Sequence, residues 1–152
     1  MTNNDVLRRI RYTFNFDDSK MIAIFGLAGI EVTRAEISDW LKKEDDPEYK
    51  NLPDPQFATF LNGLILEKRG KKDGPQPEPE KTLNNNIIFR KLRIALNLQA
   101  DDVIALINRA DFRISKHELS AFFRKPGHKH YRECKDQVLR YFLKGMQMKY
   151  RS

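Results

Sequence analysis

Displaced by 82 positions, the sequence aligns with itself: residues 3–70 match 85–152 without a gap. Seventeen of those 68 pairs are identical, among them Asn3/Asn85, Asn4/Asn86, Arg8/Arg90, Arg11/Arg93, Glu36/Glu118, Asp54/Asp136 and Gly63/Gly145. Composition alone would give roughly four. Apolar positions pair in the same register, as in Ile10/Leu92, Phe14/Leu96, Trp40/Phe122 and Leu41/Phe123. A self-match of this length is the signature of a tandem duplication, so both copies must satisfy one fold. The organisation is a first repeat at 1–69, a connection at 70–82 and a second repeat at 83–152. Within the connection, GKKDGPQPEPEKT, the alternating Pro75, Pro77 and Pro79 remove backbone donors and favour an extended, solvated linker.

Each copy reads as four short helices, and no stretch alternates as a strand would. Asn3 and Asn4 are positioned to cap a first helix over 5–15, with Val6, Leu7, Ile10 and Phe14 at helical spacing. Asp17 and Asp18 cap a second over 19–28, nearly all apolar and therefore expected at the centre of the core. Thr33-x-x-Glu36, repeated as Ser115-x-x-Glu118, is a capping-box pattern opening a third helix over 34–43. A fourth spans 54–68. It carries Phe-Leu-x-Gly in both copies, at 60–63 and 142–145. Glycine inside a helix costs about 1 kcal/mol relative to alanine, so its double occurrence points to close helix contact or a bend. A unit of about 70 residues is near the lower limit for independent stability, which favours packing of the copies on each other.

The tandem pattern N-N-D-V-L-R-R-I-R-Y, I-x-V-T-R-A-E-I-S-D-W-L-K-K, P-E-Y and F-L-N-G-L-I resembles the YehS-like family of small bacterial proteins, built from two copies of a domain of unknown function. The resemblance covers essentially the whole chain. It implies a bacterial, cytoplasmic, all-α tandem protein, and it carries over no catalytic or binding residue.

Composition narrows the function classes. One cysteine, Cys134, excludes an intramolecular disulfide, and no Cys-x-x-Cys pair exists for structural zinc. The start, MTNNDVLRRI, does not resemble a signal peptide. The longest apolar run, Met21 to Ile30, is well below the roughly 20 residues that span a bilayer. A reducing cytosol and no membrane are the expectation. No serine elbow, Cys-His pairing or phosphate-binding glycine loop occurs, so a non-enzyme without a cofactor is expected. His128, His130 and Cys134 offer metal-ligand chemistry only weakly, because no second Cys/His pair accompanies them.

The formal charge of +7 is unevenly placed: residues 1–69 are net −2, the linker is neutral and residues 83–152 are net +9. The second and third helices of each copy resemble a helix-turn-helix with a turn about two residues longer than usual, and small α domains often contain such pairs for structural reasons alone. In the second copy this region offers Lys116, His117, Arg124, Lys125, Lys129 and Arg132, with Tyr131 among the cations. The first copy has Asp39, Glu44, Asp45, Asp46 and Glu48 there, which would repel phosphate. The favoured reading is a binding module engaging nucleic acid through its second copy. The alternative is a protein adaptor whose oppositely charged copies dock together, and which meets an acidic partner surface or uses aromatics such as Tyr49 or Tyr131.

Asn4, Arg8, Arg11 and Asn15 fall within about 60° on a helix, and the stripe recurs as Asn86, Arg90, Arg93 and Asn97. Bridging to Glu36, Asp54, Glu118 and Asp136 is the favoured explanation, because the acidic first copy keeps the same stripe. Anion binding is the alternative.

Overall fold

Short polar residues fix where each helix starts. The computed structural model describes residues 1–151, and among them α1 is Asn3–Phe14, α2 Asp18–Leu27, α3 Arg34–Leu41 and α4 Asp54–Arg69. The second copy repeats them as α5 Asn85–Ala95, α6 Ala100–Arg109, α7 Lys116–Phe122 and α8 Asp136–Tyr150. The caps of α1 and α5 are Thr2 and Asn84, one residue earlier than expected; the Thr2 hydroxyl accepts from Asp5 N while the Asp5 carboxylate accepts from Thr2 N. That shift frees Asn3 and Asn4 for other work. Asp17 caps α2, and the capping boxes Thr33/Glu36 and Ser115/Glu118 form as the sequence indicates. At the start of α6, Asp102 accepts from Gln99 N at 2.8 Å, whereas its neighbour Asp101 faces Lys116. Asn15 and Asn97 both sit at φ 54°, in the left-handed region that ends a helix, which accounts for their repetition at the foot of the stripe.

The helix pairs α2/α4 and α6/α8 cross at glycine. A Cβ on Gly63 would lie 2.0 Å from the Ile24 carbonyl oxygen, and one on Gly145 would lie 1.9 Å from that of Leu106. Close approach, not a bend, is the reason for the repeated glycine. The copies do not stand apart: α1 packs along α8, and α4 along α5. These two seams exchange under the 82-residue offset, so the repeats are related as the halves of a two-fold assembly. One continuous apolar core runs through both, from Leu7, Ile24 and Phe60 to Phe89, Leu106 and Phe142, all buried. Matching arginines brace the seams, with Arg69 Nη1 donating to Ile94 O at 3.0 Å and Arg151 Nη1 to Tyr12 O at 2.6 Å.

Two expectations are corrected here. The apolar α2 buries only Met21, Ile24 and Phe25, and Leu27 is 50% exposed, so this helix is a flank of the core and not its centre. The linker is solvated from Gly70 to Pro79 but is pinned at its end: Glu80 lies 2.9 Å from Lys91 Nζ, and Leu83 N donates to Asp54 Oδ2 at 2.9 Å.

Asp136, the partner of Asp54 across the repeat, accepts from Asn85 Nδ2 at 2.8 Å and from the Met1 ammonium at 2.9 Å. These donors hold its carboxyl below the usual carboxylate range. Its contribution is therefore present above about pH 4 and is lost as pH falls through the lowered folded-state value. Urea melts of Asp136→Asn should show a shallower loss of stability below about pH 4 than the unmodified protein; parallel pH profiles would contradict this.

Candidate functional site

The cationic residues of the second copy sit on α7 and on the 123–135 loop, whose ends are tied down from below. Asn86 is the tie. Its Nδ2 donates to Phe122 O at 3.1 Å and to Arg132 O at 2.8 Å, and its Oδ1 accepts from Cys134 N at 2.9 Å. Asn85 adds a bond from Nδ2 to Cys134 O at 3.0 Å. Within the loop, backbone turns close from His128 N to Lys125 O and from Tyr131 N to His128 O. The result is a fixed base with an outward tip.

Arg124, Lys125, Lys129 and Arg132 are all exposed on that tip, as are Lys116 and His117 on α7. Lys116 stands 3.3 Å from the exposed Asp101, a contact worth little in water. The other five have no carboxylate partner among the described residues. Lys116 and Arg124 share a shallow depression of about 360 Å³ with Arg93, Leu119 and Phe123. All six candidates thus lie on exposed surface of α7 and the loop that follows it. In the first copy, Asp39 is held by Lys42 Nζ at 2.9 Å, while Glu44, Asp45 and Glu48 are exposed, so the equivalent surface is acidic.

The α6–α7 pair is joined by residues 110–115, longer than the three or four residues of the usual helix-turn-helix. At seven residues α7 makes about two turns. Such a helix can place Lys116 and His117 at its exposed start, but it offers little length for reading bases.

The polar stripe divides into separate roles. Asn4 is fully buried: Nδ2 donates to Trp40 O at 3.0 Å and Lys50 O at 2.8 Å, while Oδ1 accepts from Leu52 N at 2.9 Å and from the Tyr49 hydroxyl at 3.1 Å. It clamps the first-copy loop as Asn86 clamps the second. The expected Arg-carboxylate bridges do not form. Glu36 and Glu118 are engaged at their own caps, and Asp54 and Asp136 accept from Asn3 and Asn85. Arg8 instead pairs with Asp5 and donates to Lys42 O at 2.9 Å; Arg93 Nε donates to Leu98 O at 3.0 Å with its guanidinium 4.7 Å from the Phe123 ring centroid. Arg11 Nε is buried without a partner, and Arg90 is exposed. Tyr49 and Tyr131 are half-buried, so neither is the free aromatic anchor expected of an adaptor.

His128 and His130 have ring centroids 5.5 Å apart on the exposed tip, whereas Cys134 is 3% exposed beneath it. Among the described residues no three His, Cys, Asp or Glu side chains are grouped to hold a metal. Burial pushes the Cys134 thiol up to about 12. In native protein at neutral pH it should react with a thiol reagent far more slowly than an unfolded control, since the thiolate is the reactive form; equal rates would place it at the surface.

A family model described as "Protein of unknown function (DUF1456)" matches the chain twice, at residues 3–70 and 85–152, the spans set by the 82-residue offset. The chain belongs to this family. It is similar to an Escherichia coli (strain K12) protein called "Uncharacterized protein YehS", 46% identical over 147 residues, covering 96% of this chain and 94% of the relative. No solved structure matches the chain. The described helices include none long and apolar enough to cross a membrane.

Family membership assigns no chemistry to any side chain of the protein. Three side chains escaped sequence reasoning: Arg9, Arg140 and Lys144. They lie outside the basic loop and outside the stripe: Arg9 and Arg140 line a groove between α1 and α8, and Lys144 is exposed on α8. For Arg140 and Lys144 the signal that could have found them is departure from the repeat, since their counterparts are Ala58 and Asn62, whereas Arg9 keeps the charge of its counterpart Lys91.

Proposed function

We propose that the protein is a non-catalytic binding module whose second copy engages the phosphate backbone of nucleic acid through α7 and the 123–132 loop. The observation that carries this reading is where the charge goes. The copies dock through an apolar core with hydrogen bonds at its edges, and among the described residues the one ion pair between them joins the Met1 ammonium to Asp136. Opposite charge on the repeats is thus not spent in holding them together, and Arg124, Lys125, Lys129 and Arg132 face outward. A cationic tip on an anchored loop suits non-specific phosphate contact, for which point charges suffice. The non-catalytic part of the reading is supported by the state of the one thiol, which is buried and protonated at neutral pH.

The test is a fluorescence-anisotropy titration with labelled duplex DNA and RNA across a salt series. Four phosphate contacts predict affinity falling roughly 100-fold between 50 and 200 mM salt. Replacing Arg124, Lys125, Lys129 and Arg132 with alanine should flatten that dependence. Salt-insensitive binding, or binding unaffected by the four substitutions, would refute the reading. Recovery of the same protein partner from nuclease-treated lysate, lost in the same variant, would favour an adaptor.

A further inference from the structure

The two seams of the molecule are equivalent by repeat but not in what covers them. Across α4–α5 lies the end of the linker. Asn62 Nδ2 reaches Pro77 O at 3.5 Å, Glu80 pairs with Lys91 Nζ at 2.9 Å, and the same Nζ donates to Asn62 Oδ1 at 2.5 Å. Under this strap Asn62 and Lys91 are each 7% exposed. An extended, proline-spaced acidic segment is thus already seated on one seam of the protein, with a carboxylate over a lysine.

On the α1–α8 seam the corresponding positions are more open and more basic. Arg9 replaces Lys91 and is half-buried, Lys144 replaces Asn62 and is exposed, and Arg140 stands where the other seam has Ala58. Arg9 and Lys144 have no carboxylate partner among the described residues, and Arg140 reaches Asp136 only at 3.9 Å. A groove of about 340 Å³ runs here between Arg8, Arg9, Tyr12 and Arg140 over Leu143, and its one lining carboxylate, Asp5, is paired with Arg8. At its edge, Met1 N meets Asp136 as Leu83 N meets Asp54, so a chain seated in the groove would lie where residues 77–82 lie on the other seam.

We propose that the α1–α8 groove is a docking site for an extended acidic peptide segment of another protein, seated as residues 77–82 are seated on α4–α5. The strap supplies the geometry, and the two additional cations, Arg140 for Ala58 and Lys144 for Asn62, supply the complementarity. In that pose Arg9, in the place of Lys91, faces a carboxylate as Lys91 faces Glu80, and Lys144, in the place of Asn62, is positioned for a backbone carbonyl as Asn62 is for Pro77 O, with Arg140 added beside them. The site is separate from the loop proposed for nucleic acid.

The experiment uses the full chain and a labelled peptide of Pro-Glu repeats, the pattern of Pro77 to Glu80, with a Pro-Gln peptide as control. Saturable binding of the Pro-Glu peptide is expected, with amide shifts on α1 and α8 of the unmodified protein and weakening of about tenfold in Arg9→Gln/Lys144→Gln. No saturable binding would overturn the proposal, as would equal binding of the Pro-Gln peptide. So would loss of binding in the Arg124/Lys125/Lys129/Arg132 alanine variant with retention in Arg9→Gln/Lys144→Gln. A competing oligonucleotide that itself shifts the α1 and α8 amides would show that the groove belongs to the nucleic-acid face instead.

Discussion

Replacing Gly63 with alanine should destabilise the protein by about 3 kcal/mol, and replacing Gly145 should do the same. In an open helix the change would be favourable by about 1 kcal/mol, because alanine is the better helix former. Here the added methyl would stand 2.0 Å from the Ile24 carbonyl oxygen at Gly63 and 1.9 Å from that of Leu106 at Gly145. Neither oxygen can rotate away, since each is part of a helix backbone. The only relief is to move α2 off α4, or α6 off α8, and that opens the core around Phe60 or Phe142. The steric cost therefore outweighs the propensity gain. For a chain of this size the midpoint of a thermal melt should fall by roughly 6 to 12 °C. Because the core is continuous across the copies, either substitution should lower one shared transition. A change in only half of the signal would show that the repeats melt independently, and an unchanged midpoint would mean that the crossing is looser than the geometry requires.

The glycines were legible because a residue that is poor in helices recurred at the same helical position twice. The capping boxes were legible for a similar reason: hydroxyl and glutamate at fixed spacing carry their own geometry. Arginine partners were not. Arg8 and Arg93 donate to the carbonyls of Lys42 and Leu98, and a backbone acceptor leaves no letter in a sequence. Glu36 illustrates the point from the other side, since a carboxylate reaching back to Thr33 N at 3.0 Å has no remaining duty to an arginine on another helix. The pattern that predicted the cap already argued against the bridge.

The seams were illegible for a different reason. The apolar face of α1 fits the fourth helix of either copy equally well by pattern, and duplication makes the two choices indistinguishable until the chain is folded. Only departures from the repeat could separate the seams. Lys91 beside Asn62 makes a pair that a carboxylate completes, whereas Arg9 and Arg140 line one groove with no carboxylate of their own among the described residues closer than 3.9 Å. Charge counted per copy located the basic second repeat but missed this cluster, because Arg9 belongs to the copy that is net negative.

Replacing Asn4 with alanine should cost about 3 to 5 kcal/mol, a large share of the 5 to 15 kcal/mol that holds an ordinary domain together. The side chain is wholly buried, and its loss strands the carbonyl of Trp40 and the amide of Leu52 away from water and frees the partly buried carbonyl of Lys50. Asn86→Ala should behave alike, releasing the Phe122 and Arg132 carbonyls and the Cys134 amide. The second substitution also frees the loop that carries Arg124, Lys125 and Lys129, so it should make Cys134 react faster with a thiol reagent. Asn4→Asp separates hydrogen bonding from packing, because it keeps the volume and the acceptor but points a carboxylate at two carbonyls. Burial there raises the folded-state pKa of the new acid above its unfolded value near 4, so the variant should gain stability as pH falls towards that value. The sign is opposite to that expected for Asp136. Urea titrations at several pH values measure both effects. A cost for Asn4→Ala below about 1 kcal/mol would show that water takes over the clamp, and an Asn4→Asp variant indifferent to pH would show that the buried carboxylate finds donors the native fold does not present.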